Sequence, residues 1–271
     1  TPNAGNAGVS GNIAFASGAS SLGNTGTIQL TTGKSAGGKG GSITLSVGDG
    51  DTDVGGDITV NAGQTTEASK AGGVVSIQSG GSTNGRSGKV SLSTLSGGVS
   101  GNIEMETGVS SGGASGVITL NSGKSAGGKG GSITLSVGDG DTDVGGDVTV
   151  AAGKSIAEAG TTGGVISLQS GESALTSSGD ISMVTPNAGN AGVSGNIAFA
   201  SGTSSLGNTG TIQLTTGKST GGKGGSITLS VGDGDTGVGG DITVNAGHTT
   251  ASLGTTGGVI SLQSGESALT S

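Results

Sequence analysis

A six-residue pattern, Gly-x-[Ile/Val]-x-[apolar]-x, recurs about every fifteen residues along this whole chain. Its first aliphatic residue falls at Ile13, Ile28, Ile43, Ile58, Val75, Val90, Ile103, Ile118, Ile133, Val148, Ile166, Ile181, Ile197, Ile212, Ile227, Ile242 and Ile260. Most gaps are fifteen, and the rest run from thirteen to eighteen. One such unit holds too few apolar side chains to enclose a core, so it can bury them only against its neighbours. That constraint predicts an all-β chain, a β-solenoid (parallel β-helix) in which each unit supplies one strand and one turn.

The alternation inside a unit supports the strand assignment. In GSITLSVG, Ile43, Leu45 and Val47 share one face, while Ser42, Thr44 and Ser46 share the other. β-branched residues suit a pleated surface. The connecting segments KSAGGKG, DGDTDVG and SSLGNT are turn chemistry throughout. Gly supplies 65 of 271 residues, and its place at so many corners predicts positive φ or close backbone approach. Gly this abundant without a period would indicate disorder, which the alternation argues against. Collagen is excluded, because Gly does not fall every third residue and Pro2 and Pro186 are the only prolines. There is no Cys, Trp or Tyr, and only two Phe, Phe15 and Phe199, so a conventional globular core is not expected.

Longer periods are nested over the short one. Residues 1–63 return as 185–247 with three changes, Ala19 to Thr203, Ala36 to Thr220 and Asp53 to Gly237, a period of 184. Between them lie half-repeats of 90 and 94 residues: GKSAGGKGGSITLSVGDGDTDVGGD stands at 33–57 and again at 123–147. Units also sort in threes. The third inward position is Ser17, Ala62, Thr107, Ala152, Ser201 and Ala246 in one class and Val47, Thr94, Val137, Thr185 and Val231 in another. The insertions at 64–72, 154–163 and 248–257 all follow the first class. Units three apart would share an environment in a coil of three strands. The alternative is one unit per coil. At about 4.8 Å per coil, the seventeen units would rise roughly 27 Å or roughly 80 Å respectively. Residues 1–271 then form a single continuous solenoid segment. Thr1 corresponds to Thr185 in mid-repeat and Ser271 to Ser177, so the segment is expected to belong to a longer array.

Charge and composition exclude several function classes. The net charge is −8 and the ten basic residues are scattered, which argues against nucleic acid as a partner. No apolar run reaches membrane-spanning length, so membrane insertion is not expected. Zero Cys rules out a disulfide scaffold and a thiolate metal site. His248 is the lone histidine, in an inserted loop, so neither a catalytic triad nor a zinc site can be assembled from the usual parts. Glu104 and Glu106 face outward two apart, where the equivalent units carry Ala14/Ala16 and Ala198/Ala200, and read as surface charge. The chain is not expected to be an enzyme, and no cofactor is required. A carbohydrate-active β-helix would need carboxylates with aromatic or basic residues along one groove, and the aromatics are missing.

The candidate site is acidic. Asp49, Asp51, Asp53 and Asp57 stand at positions 1, 3, 5 and 9 of a calcium-loop spacing. Asp139, Asp141, Asp143 and Asp147 repeat it, and Asp233, Asp235 and Asp241 form a third copy with Gly237 in the remaining place. Hard oxygen ligands at alternate positions suit Ca²⁺, although the loop has no Gly at position 6 and no Glu at position 12. Asp-Gly is equally ordinary turn sequence, so a solvated acidic corner is the competing reading. GKSAGGKGG has the spacing of a phosphate loop at Gly33, Gly38 and Lys39, but Gly40 stands where Ser or Thr is needed and no helix follows. Lys34/Lys39, Lys124/Lys129 and Lys218/Lys223 form basic corners just ahead of the acidic ones, either solvated or paired laterally with acidic corners of a neighbour. Outward pairs such as Thr44/Ser46 and Thr59/Asn61 are too irregular for an ice-binding face, since equivalent positions carry Ala, Gln and Glu. Sequons for N-glycosylation are absent.

GGSITLSV, GGDITVNAG and GGVISLQSG resemble the strand repeats of large secreted β-helical adhesins of the filamentous-haemagglutinin type. Similar Gly/Ser/Thr arrays occur in very large surface proteins of microalgae. The resemblance implies an extracellular, elongated, non-enzymatic protein at the cell surface. The expected function is a structural repeat protein of an extracellular filament or surface fibre, with further copies of itself as the partner, assembled end to end or laterally. The alternative is an adhesin, or a calcium-dependent module that grips glycan or mineral.

Overall fold

The computed structural model describes residues 1, 3–5, 8–142, 144–156, 161–250 and 255–266. Among these, no residue lies in a helix or a strand. The expectation of an all-β β-solenoid is therefore overturned, both as a coil of three strands and as one unit per coil. Each unit still divides into a run that carries the aliphatic alternation and a loop where the turns and bends fall.

Backbone pairing explains why no strand forms. A strand exists only where a neighbouring chain satisfies its amides in register. Here successive runs are joined at the base of the intervening loop, its neck, by at most a single main-chain bond. Gly73 donates to the Gly63 carbonyl at 2.8 Å and Gly88 to Gly80 at 2.9 Å. Gly164 donates to Gly153 and Gly179 to Gly171, both at 2.9 Å, and Gly258 to Gly247 at 2.8 Å. The other main-chain bonds among the described residues, Lys70 to Glu67 and Gly192 to Gly189, are local turns. Between necks the runs have no ladder.

Burial accounts for the missing ladder. The accessible surface is 26744 Å². A compact 24.8 kDa chain would expose about 10,000 Å² and a fully unfolded one about 36,000 Å². The chain has thus withdrawn only about a third of the area that compact folding would remove. No side chain among the described residues is buried. Three modest aliphatics per unit contribute too little when only half covered to offset the ordering of fifteen residues, and glycine raises that cost. The alternation still leaves its mark: Val75 on the inward face is 50% exposed, and Val74 beside it 86%.

The necks are the ordered points of the chain, and three chemistries close them. Where the third inward residue is Val, its methyl packs on a glycine. A Cβ added to Gly56 would lie 2.7 Å from Val47 Cγ1, and one on Gly240 would lie 2.8 Å from Val231 Cγ1. Where it is Thr or Ser, the hydroxyl often donates across the neck: Thr32 Oγ1 to the Gly41 carbonyl at 3.1 Å, Ser122 Oγ to Gly131 at 2.9 Å, Thr216 Oγ1 to Gly225 at 3.3 Å. Where it is Ala (Ala62, Ala152, Ala246), and also after Ser79 and Ser170, one of the backbone bonds described above closes the neck. Close approach is therefore the reason for glycine at the necks. Positive φ is not, since among the described residues only Gly8, with φ 142°, has it.

Contacts divide the chain into two units, Thr1–Thr134 and Leu135–Ser271. The boundary falls inside a GSITLSV run and matches none of the sequence periods. Each unit consists of the same runs, necks and loops.

Candidate functional site

The loops hold the polar chemistry, and their tips share one device. In Ser-x-x-Gly the serine Oγ accepts a hydrogen bond from the amide three residues on, in place of a backbone turn. Gly23 donates to Ser20, Gly38 to Ser35, Gly85 to Ser82, Gly207 to Ser204 and Gly222 to Ser219, all at 2.9 Å. Gly113 does so to Ser110 at 3.1 Å, and Thr176 to Ser173 at 3.0 Å. This recurring four-residue signal was readable in SSLG, SAGG and STNG, but composition alone classes it only as loop.

The acidic corners are ordered differently. Asp49, Asp51 and Asp53 lie on the loop 48–55, and Asp57 follows the neck at Gly56 as the next run begins. Asp53 Oδ1 accepts from its neighbour Val54 N at 2.8 Å, which turns that carboxylate toward its own backbone. The loop folds tightly enough that a Cβ on Gly50 would meet the Asp53 carbonyl oxygen at 3.0 Å and that of Val54 at 3.3 Å. In the third copy Gly237 has no carboxylate to offer, and the nearest approach to Gly234 relaxes to 3.5 Å, from the Val238 carbonyl. Asp233, Asp235 and Asp241 occupy the corresponding places. In the second copy Asp139, Asp141 and Asp147 do so as well, and Asp143 lies outside the described residues.

Among the described residues no three Asp, Glu or His side chains come close enough to share a cation. The calcium spacing seen in sequence is therefore not drawn into a ligand sphere in the described first and third copies. The carboxylates are exposed and separate, as are the lysines of the preceding loop. Lys34 and Lys39 form no ion pair with Asp49, Asp51, Asp53 or Asp57.

Other candidate residues also stay apart. His248 is exposed on its inserted loop. The neighbouring hydroxyls of Thr249 and Thr255 lie 3.2 Å apart, and Ser155 and Thr161 form the equivalent pair one half-repeat earlier. Glu104 and Glu106 are exposed on their run. An open hollow of about 210 Å³ is lined by Phe199, Ile212, Gln213 and Leu214, where two successive runs approach. It holds no titratable group and no nucleophile. No helix among the described residues is long and apolar enough to cross a membrane. Comparison with protein-family models, curated proteins and solved structures gives no match.

Proposed function

We propose that this chain is a structural repeat protein, one that supplies a periodic surface to an extracellular filament or surface fibre assembled from further copies of itself. One observation carries the reading: seventeen aliphatic units, whose apolar side chains are about half exposed or more and none of which has a core of its own. Contiguous apolar surface on that scale is a site of association. Completing the burial of one half-covered Ile or Leu contributes about 1 kcal/mol. A single unit gains little from this, but the gain repeats along the chain, as expected of a repeat assembly. The extracellular setting follows from the resemblance of GGSITLSV and its relatives to secreted surface repeats.

An adhesive module is the second reading, favoured by the placing of charge in exposed loops. The two are separated by imaging and sedimentation of the chain. Continuous fibres, lost when Ile43, Ile133 and Ile227 are changed to Ser, support the structural role. A chain that stays monomeric at high concentration, while retaining glycan or mineral binding, would sink it.

A further inference from the structure

Charge in this chain is placed in pairs of loops of opposite sign. Six of the ten basic residues are Lys34, Lys39, Lys124, Lys129, Lys218 and Lys223, and eleven of the eighteen acidic residues follow them in the three Asp corners. In the first block the basic loop is 33–40 and the acidic loop is 48–55. The run between them is 41–47. It is bounded at one end by the Thr32 Oγ1 bond to the Gly41 carbonyl and at the other by the Val47 contact on Gly56. The third block repeats this with Thr216, Gly225, Val231 and Gly240. An extended run of this length separates its ends by up to roughly 20 Å. Screening at physiological salt acts over about 8 Å, and Lys34 and Lys39 form no ion pair with Asp49, Asp51, Asp53 or Asp57 of their own block.

Resting on the structural reading above, we infer that a second copy of this chain docks antiparallel across the 41–47 run and its counterpart 225–231. The Lys loop of each copy then faces the Asp loop of the other. A parallel pair would set Lys against Lys at one end and Asp against Asp at the other. An antiparallel pair places opposite charges together at both ends, which is the self-complementary arrangement of a two-fold contact. The run itself offers the apolar surface: Ile43, Leu45 and Val47 are 51%, 70% and 46% exposed, and Ile227, Leu229 and Val231 are 50%, 70% and 46% exposed. The contact thus has an aliphatic centre and a charged rim, the usual anatomy of a protein interface. The rim sets orientation, because like charges brought together there disfavour the wrong alignment.

The absence of cysteine makes the orientation measurable. One variant carries Lys39→Cys, Lys129→Cys and Lys223→Cys, and a second carries Asp51→Cys, Asp141→Cys and Asp235→Cys. Under mild oxidation, disulfides between the two variants should dominate those within either variant. Self-association of the intact chain should weaken by about tenfold as the screening length falls from about 10 Å at 0.1 M salt to 3 Å at 1 M. Reversing the six lysines to Asp should abolish it, and mixing that chain with one whose loop aspartates are changed to Lys should restore it. Cross-links mainly within each variant, or association unmoved by charge reversal, would overturn the antiparallel contact and leave the structural role standing. A chain that does not associate at any salt concentration would overturn both.

Discussion

Adding one methyl group at a neck tests whether the necks hold the chain together. The Cβ of Gly56→Ala would sit 2.7 Å from Val47 Cγ1. Carbon atoms in contact rest at about 3.5–4.0 Å, so something must yield by roughly 1 Å. Valine is stiff at χ1, and moving it off its rotamer costs about 0.5–1.5 kcal/mol. Alanine also lowers the entropy of the open chain, which favours closure by about 0.4–1 kcal/mol. Gly48→Ala isolates the steric part: its Cβ meets nothing within 4 Å, and neither glycine has positive φ, so the entropic gain is common to both. The difference between the two variants should be about 1 kcal/mol, roughly a fivefold drop in the closed-neck population. Nuclear Overhauser contacts between the Val47 methyls and residue 56 report that population directly. Val47→Ala combined with Gly56→Ala should recover most of the loss, giving a coupling of about 1 kcal/mol in a double-mutant cycle. If Gly48→Ala and Gly56→Ala shift the neck equally, or the double variant recovers nothing, steric closure is refuted.

Ser35→Ala removes the acceptor of the Gly38 amide, and exchange at that amide should quicken by roughly five- to tenfold, the equivalent of about 1 kcal/mol. Ser46→Ala, which removes no hydrogen bond, should leave Gly38 unchanged, and equal effects would show that the turn does not depend on the hydroxyl. Calcium should act on the Asp corners only as a screening counter-ion, because the described carboxylates do not converge. A saturable calcium shift at Asp49 and Asp51 that persists in 0.15 M salt and disappears in Asp51→Asn would show that the loop closes into a ligand sphere.

The strands expected at the aliphatic runs do not form, but the alternation leaves a trace in exposure. Val74 and Val75 illustrate this, adjacent valines of which only the second is shielded. Laddering between neighbouring runs was not legible, because alternation states which face seeks cover and not whether anything supplies it. The period of three units predicts stacking of every third unit, which the structure does not show. In the structure the third inward residue bears on how several necks close, and backbone bonds also close the necks after Ser79 and Ser170. Val47 and Val231 pack on glycine, Thr32 and Thr216 donate a hydroxyl hydrogen bond, and Ala62 and Ala246 leave closure to the backbone. Ala at that position goes with the longest loops, since a backbone bond between glycines closes a loop whatever its length. The acidic spacing was visible too. In the structure the described carboxylates of these corners form no cluster of three, and Asp53 turns to its own backbone.

The 184-residue repeat shows which of these parts is held constant. The three differences between its copies fall at Ala19, Ala36 and Asp53, every one of them in a loop. No run and no neck differs between residues 1–63 and 185–247. A side chain on a loop tip touches little, so a change there costs little. A Cβ added at a neck glycine of either copy would meet a neighbour at 2.7–3.7 Å, and a change in a run alters the apolar surface of its unit. The exchange of Asp53 for Gly237 goes further than tolerance. It removes the carboxylate that caps Val54 in the first copy and one negative charge from the acidic corner. The loop is looser there: a Cβ added to Gly50 would meet its nearest neighbour at 3.0 Å, and one added to Gly234 at 3.5 Å. Two loops carried on identical runs therefore differ in charge and compactness. A repeat chain can in this way vary what its loops present while its runs and necks stay the same.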